Sequence, residues 1–354
     1  MIADSSHNSS RFKRIVEVCA GLYLLFMLVY VAARFTIRDQ FWLMGLLNSF
    51  AYLLFIPLPL LFLLALLARS RRAVLSLLPI IMLIGLWFGP RFLPKITAES
   101  NAPVIRVMTN NVWRLNPTPE DVATLVMESK PDVVFLQEVQ LSTEGKALAG
   151  LDADYPYQTQ LVDEIRLSMY EAVNITLSRY PFVETEKVEL GLPNMPTIYR
   201  NVIEVNGKRV ALYNAHLITP FTENPRLPVG NNYFAKVALG YDDTQRNQQI
   251  EVLLAHLRSE PYPYIVAGDF NLSDLSMTYA AITGQMRDSF IEAGSGLGNS
   301  WPEADALGLP AFLPPLVRMD YIWHSDGLRA IRAWQGNFVG SDHLPLFAEF
   351  EVTP

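Results

Sequence analysis

The stretch "IVAGDFNLSD", residues 265–274, begins as an apolar strand and ends on a carboxylate and a carboxamide two positions apart. Side chains at i and i+2 of an extended segment point the same way, so Asp269 and Asn271 face one point together. One can take a proton and the other can donate hydrogen bonds. Taken alone, Gly268, Asp269, Asn271 and Ser273 are also what an ordinary turn after a strand uses. The rest of the chain separates the two readings.

Working outward, strand candidates are 104–109, 132–137, 172–178, 200–205, 209–215, 263–268, 319–323 and 345–351. Two helices stand out. One starts near Thr118, with Asp121 at the capping-box spacing and Val122, Leu125 and Val126 on one face. The other runs from about Thr244 to Arg258 and buries Ile250, Leu253, Leu254 and Leu257. Strands without regular alternation with helices predict an α/β domain of two packed, largely antiparallel sheets with helices outside.

Six of these strands meet polar residues at one end. They are Asn110 and Asn111; Glu138 after Gln137; His216; Asp269 with Asn271; Asp320; and Asp342 with His343. Each has an ordinary alternative: a turn for Asn110-Asn111, a solvated edge for Glu138, a structural histidine for His216, a loop for Asp342-His343. Their co-occurrence favours chemistry. His7, His256 and His324 have no such company.

The motifs "MTNNVW", "PDVVFLQEV", "YNAHL", "IVAGDFN", "RMDYIW" and "SDHLPL", in this order over about residues 103 to 352, resemble the endonuclease/exonuclease/phosphatase superfamily. That resemblance implies a DNase I-like four-layer sandwich of two mixed sheets flanked by helices. It implies a metal-dependent phosphoester hydrolase, with Glu138 as the main ligand of a divalent cation and Asn111 and Asp342 beside it. A hard cation such as Mg²⁺ suits this oxygen set, with Mn²⁺ or Ca²⁺ as alternatives. Asp269 would orient or deprotonate the attacking water, and Asn271 would bond a phosphoryl oxygen. His343, oriented by Asp320, would contact the phosphate, and His216 is the second histidine. Arg200 is a further candidate for the phosphate; Arg246 and Gln249 would lock their helix against the site. Glu171 is the nearest acidic partner for His216 by position.

The N-terminal part is different in kind. Of 354 residues 51% are hydrophobic, and Val18–Ala33, Phe41–Ala68 and Ala73–Pro90 carry no charged side chain. A helix needs about 20 mostly apolar residues to cross a bilayer. Three transmembrane helices are expected, at about 15–34, 41–68 and 73–90, then a linker (91–102) and the catalytic domain (103–354). Residues 1–90 hold 8 basic and 3 acidic groups, net +5; residues 91–354 hold 20 and 32, net −12, which together give −7. Arg11, Lys13 and Arg14 lie before the first helix, and Arg69, Arg71 and Arg72 before the third. The positive-inside rule puts both clusters in the cytoplasm and the catalytic domain outside. The single cysteine, Cys19, excludes an intrachain disulfide and a Cys-based metal site.

The acidic domain disfavours nucleic acid as a partner. A short tether to the bilayer favours a phospholipid or sphingolipid phosphodiester. The loop 218–240 adds Phe221, Tyr233, Phe234 and, just beyond, Tyr241, which suit either the interface or the domain's own core; the apolar stretch "LGLPAFLPPLVRMD" poses the same choice. An extracytoplasmic nuclease is the first alternative. The second is an idle domain used only for binding, which the complete set of reactive residues argues against.

Overall fold

Pro57 and Pro59 decide the shape of the second apolar segment. Proline lacks the N–H that a helix interior needs and clashes with the preceding turn. In the computed structural model, which describes residues 2–95, 102–140, 142, 144–161, 172–191, 197–220, 239–303, 310 and 312–352, this segment is accordingly broken. The chain divides into two compact units, Met1–Leu93 and Pro94–Pro354.

The first unit is helical: α1 (Ile2–Thr36), α2 (Trp42–Ser49), a 3₁₀ turn (Ala51–Phe55), α3 (Pro57–Leu67) and α4 (Arg71–Phe88). Ser10–Thr36 and Arg71–Phe92 are each long and apolar enough to cross a membrane. The single helix expected over 41–68 is instead a pair bent by 71° between Trp42–Ser49 and Ala51–Leu67. Two hydrogen bonds tie that pair to α1 in reverse order, and a third ties Ser70, just beyond it. Tyr30 donates to Asn48 Oδ1 (3.0 Å), Tyr23 to the Leu54 carbonyl (2.8 Å), and Ser70 Oγ to Glu17 (2.7 Å). Leu22, Leu25, Leu60, Leu63 and Leu86 point outward, so the apolar surface lies outside the bundle.

The second unit carries β1 (Val104–Asn111), β2 (Val133–Gln140), β3 (Tyr157–Leu161), β4 (Ala172–Ser178), β5 (Phe182–Glu189), β6 (Thr197–Val205), β7 (Lys208–His216), β8 (Tyr264–Asp269), β9 (Arg287–Asp288), β10 (Asp320–His324), β11 (Leu328–Gln335) and β12 (Leu346–Val352). Its helices are α5 (Glu120–Ser129), α6 (Glu144–Ala147), α7 (Thr244–Leu257), α8 (Met277–Thr283) and α9 (Ser289–Ala293). One six-stranded sheet has the order β11-β12-β1-β2-β4-β3 and the other β5-β6-β7-β8-β10-β9. Among the described residues, only β1–β2 and β7–β8 pair in parallel. A parallel pair needs a crossover, and here α5 and α7 lie in the two connections.

Ile105, Val107, Phe135, Leu212, Ile265, Ala267, Ile322 and Phe350 fill the space between the sheets. The intervening residues face outward, where Val122 and Val126 of α5 cover one sheet and Ile250, Leu253 and Leu257 of α7 cover the other. Each such buried side chain contributes about 1.5–3 kcal/mol relative to exposure. The result is the four-layer sandwich expected. The capping box is not formed: α5 begins at Glu120, and no side chain caps it at Pro119.

Candidate active site

Both parallel pairs end at the same edge of the sandwich, so Asn111, Glu138, His216 and Asp269 are delivered to one place. Asp269 stands opposite His216 on β7 and opposite Asp320 on β10. The close approach of β7 and β8 requires Gly268: its φ is +144°, and a Cβ there would lie 1.8 Å from the Ala215 carbonyl oxygen. No other residue fits that position.

Glu138 reaches the site by an irregularity. Strict alternation along β2 would turn it to the outer face with Leu136. A bulge against β4 between Leu136 and Val139, with Glu138 at φ +55°, turns it inward instead. There Asn111 Nδ2 donates to Glu138 Oε1 (3.3 Å) and to Asp269 Oδ2 (3.1 Å). His216 Nε2 lies 3.5 Å from Glu138 Oε1 and 3.7 Å from Asp269 Oδ2. Directly beneath, Gln137 donates to Asn214 Oδ1 (2.6 Å) and Asn214 donates to the Leu136 and Ile175 carbonyls. That buried bridge joins the two sheets next to Glu138 and His216.

On the other side, His343 Nδ1 is 2.8 Å from Asp320 Oδ2, and its Nε2 is 3.8 Å from Asp269 Oδ2. Ser341 Oγ accepts from the His343 backbone N–H and donates to the Asn111 carbonyl, fixing the loop to β1. Burial opposes a charged imidazole, but the carboxylates of Asp320, Asp269 and Asp342 outweigh it and hold the His343 pKa well above its ordinary value. Burial pushes Asp269 up to about 7, with His343 opposing and Asp320 adding to the shift. Asp342 is pushed up to about 6, again chiefly by burial, with Glu138 nearby. One Asp342 oxygen accepts from Trp301 Nε1 (3.2 Å); the other, Oδ1, is buried with no hydrogen-bond partner.

Crowded, buried carboxylates with an orphaned oxygen fit a hard divalent cation, which would supply the missing positive charge. Two oxygen sets are available. Asp269, Asp320 and His343 lie close enough to share an ion. His343 Nδ1 is committed to Asp320, and Glu138 and Asp342 are further carboxylates that could hold the ion. Asn111 presents its Nδ2 to this cluster, because its Oδ1 accepts from Trp113 N (3.0 Å). In this arrangement it is a donor to the carboxylates and not an oxygen ligand.

Asn271 is also engaged internally. Its backbone N–H donates to Asp269 Oδ1 (2.8 Å), and its Nδ2 to the Leu217 carbonyl (2.9 Å) and Asp269 Oδ2 (3.3 Å). It therefore holds Asp269, and a phosphoryl oxygen would have to displace the longer of the two Nδ2 bonds.

Arg200 is not brought to the site. It lies opposite Tyr213 on the outward face, paired with Glu260 (2.6 Å) and Glu184 (2.9 Å), which corrects its assignment to the phosphate. Arg246 Nη1 donates to the Asn271 carbonyl (2.8 Å) and Gln249 Oε1 accepts from Ile218 N (2.8 Å), so α7 clamps the backbone after both Asp269 and His216. Glu171 and the span 221–238 lie outside the described residues. Ser341, Gln137 and Asn214 lie within the quoted motifs, which assign them no role, and Trp301 lies outside all of them.

The family model described as "Endonuclease/Exonuclease/phosphatase family" matches residues 108–343. Among solved structures, an endonuclease/exonuclease/phosphatase from Bacteroides vulgatus is 18% identical, with a TM-score of 0.55, and the match covers 71% of this chain and 100% of that one. TDP2 from Caenorhabditis elegans is 19% identical, with a TM-score of 0.55, covering 71% and 77%. A family protein from Leptotrichia buccalis is 16% identical, with a TM-score of 0.54, covering 70% and 99%. At these identities the likeness is one of fold. No curated protein matched.

Proposed function

The chain belongs to the endonuclease/exonuclease/phosphatase family, and from that premise we propose that it is a membrane-anchored, divalent-metal-dependent hydrolase acting on a phospholipid or sphingolipid phosphodiester. The observation that carries the reading is the convergence of Glu138, Asp269, His216 and the His343–Asp320 pair at one edge of the sandwich.

A cation held by Glu138 and Asp342 would neutralise charge on the phosphoryl oxygens and stabilise the departing alkoxide. Asp269 takes the proton of the attacking water. Burial places its pKa near neutrality, where a base is most effective. Asn111 and Asn271 fix both its oxygens. His343, kept charged by Asp320, offers an N–H to a phosphoryl oxygen. His216 stands beside Glu138 and Asp269 as a second donor. Membrane anchoring is supported by the two long apolar helices and by the basic clusters that flank them. The lipid choice is supported by the net −12 of residues 91–354, from 20 basic and 32 acidic groups.

The test is Mg²⁺-dependent hydrolysis by detergent-purified full-length protein, with sphingomyelin and phosphatidylcholine vesicles run beside plasmid DNA. Glu138→Ala should lower lipid turnover by at least about 10²-fold. DNA nicking alone would reverse the choice of substrate. Loss of every activity to the level of Glu138→Ala would overturn the hydrolase reading.

A further inference from the structure

Single exposed apolar side chains are normal on a soluble surface; several gathered on neighbouring loops around a reactive site are not. In the second unit, the only exposed phenylalanines among the described residues are Phe312 (82%) and Phe338 (43%). Leu115 (61%) and Leu313 are exposed as well. All four lie on loops that adjoin the strand ends carrying the site: Leu115 four residues after Asn111 at the end of β1, Phe338 five before His343 between β11 and β12, and Phe312 eight before Asp320 at the start of β10.

These loops are stitched together. Asn116 Nδ2 donates to the Val112 and Val339 carbonyls, which sets the Leu115 loop against the Phe338 loop. Gly340 packs on Asn116 so closely that a Cβ would lie 2.2 Å from its Oδ1. Asn299 joins the third loop, donating to the Pro315 carbonyl and accepting from Gln335 at the end of β11. The Leu115 and Phe338 loops are therefore bonded to one another beside Asn111 and His343, and the segment after Phe312 is bonded to Asn299. Tyr241, by contrast, is buried, so the aromatic side chain just beyond the long loop serves the core.

We propose that Leu115, Phe312, Leu313 and Phe338 form a wedge that enters the bilayer carrying the chain's own helices, bringing the site onto a lipid phosphodiester in the membrane surface. This rests on the lipid reading above. The bilayer is the occupant because the chain is tethered to one. Pro94–Pro103 is ten residues, a reach of at most about 36 Å. The linker joins β1 at Val104, at the end of the strand away from the site, and the eight residues of β1 span about 26 Å. The tether is thus just long enough to let the site edge turn to the surface. A polyanion is a poor alternative for an acidic domain, and the wedge suits a zwitterionic surface.

The full chain, reconstituted in phosphatidylcholine–sphingomyelin nanodiscs with Cys19→Ser, gives the test. Phe312→Cys and Phe338→Cys would carry an environment-sensitive fluorophore, with Met127→Cys on α5 as the exposed control. Spin-labelled lipid should quench the first two at least about twofold more than the control. Separately, Phe312→Ser with Phe338→Ser should reduce turnover of nanodisc lipid about tenfold, equal to 1.4 kcal/mol, while leaving hydrolysis of a soluble aryl phosphodiester unchanged. Equal quenching at all three positions, or equal loss on both substrates, overturns the wedge and leaves the hydrolase reading intact. Hydrolysis of the soluble diester without any lipid turnover would instead sink the lipid reading, and quenching would still decide whether the rim enters the membrane.

Discussion

Asp269 is 1% exposed, and His216 and His343 lie on either side of it with Asp320 opposite on β10. Its pKa is raised to about 7, chiefly by burial, against about 3.9 for an unfolded aspartate. Between those values the native state binds more protons than the unfolded state, so this group's contribution falls as pH rises from about 4 to about 7. Above pH 7 the whole penalty is present. Asp269→Asn, measured in chelator, should therefore raise stability by about 1–3 kcal/mol at pH 8 and change it little at about pH 4. The same variant should lose at least about 10²-fold in activity. A gain that is equal at both pH values, or a loss at pH 8, would show that burial of charge is not what shifts the group. Wild-type activity should rise along its acid limb as Asp269 deprotonates, with an apparent midpoint moved below 7 when a cation is bound.

Among the elements, caps and edges show where pattern reading ends. Thr118 and Asp121 have the spacing of a capping box, yet α5 starts at Glu120 with no side-chain cap. Ser276 had no such spacing and does cap α8, accepting from Tyr279 N at 3.3 Å. Thermal unfolding of the two alanine variants should separate them: Ser276→Ala should cost about 1 kcal/mol and Thr118→Ala less than about 0.5 kcal/mol. The strands divide in a similar way. The eight strands expected from apolar runs are all present, as β1, β2, β4, β6, β7, β8, β10 and β12. The four not expected, β3, β5, β9 and β11, are the four sheet edges. Edge strands carry charge, as in "FVETEKVE" of β5, because an apolar edge would recruit other chains. Apolar runs therefore reveal the middle of a sheet and hide its margins. The site was legible as residue types at strand ends. The bulge that aims Glu138 inward and the ion pairs that take Arg200 away depend on partners distant in the chain, and the Trp113 N–H that turns the Asn111 amide depends on the backbone path two residues on.

For the whole molecule, the side of a membrane on which the second unit would lie turns on whether the bent pair α2–α3 crosses it. A re-entrant hairpin would return Leu67 to the end of the bundle where α1 stops, at Thr36. Ser70 is instead bonded to Glu17, 19 residues earlier along α1. At 1.5 Å per residue that is about 28 Å, close to the 30 Å thickness of the hydrocarbon core. The intermediate bonds of Tyr30 to Asn48 and Tyr23 to Leu54 fall in order between these ends. A full crossing would make three, and retention of Arg11, Lys13, Arg14, Arg69, Arg71 and Arg72 in the cytoplasm would then put the second unit outside. Alkaline phosphatase fused after Asp39 or after Pro354 should then be active, and fused after Arg72 inactive. If the pair were re-entrant, the fusion after Arg72 would be active and the one after Pro354 silent. That result would place the site in the cytoplasm, and any lipid it meets would have to come from the inner leaflet.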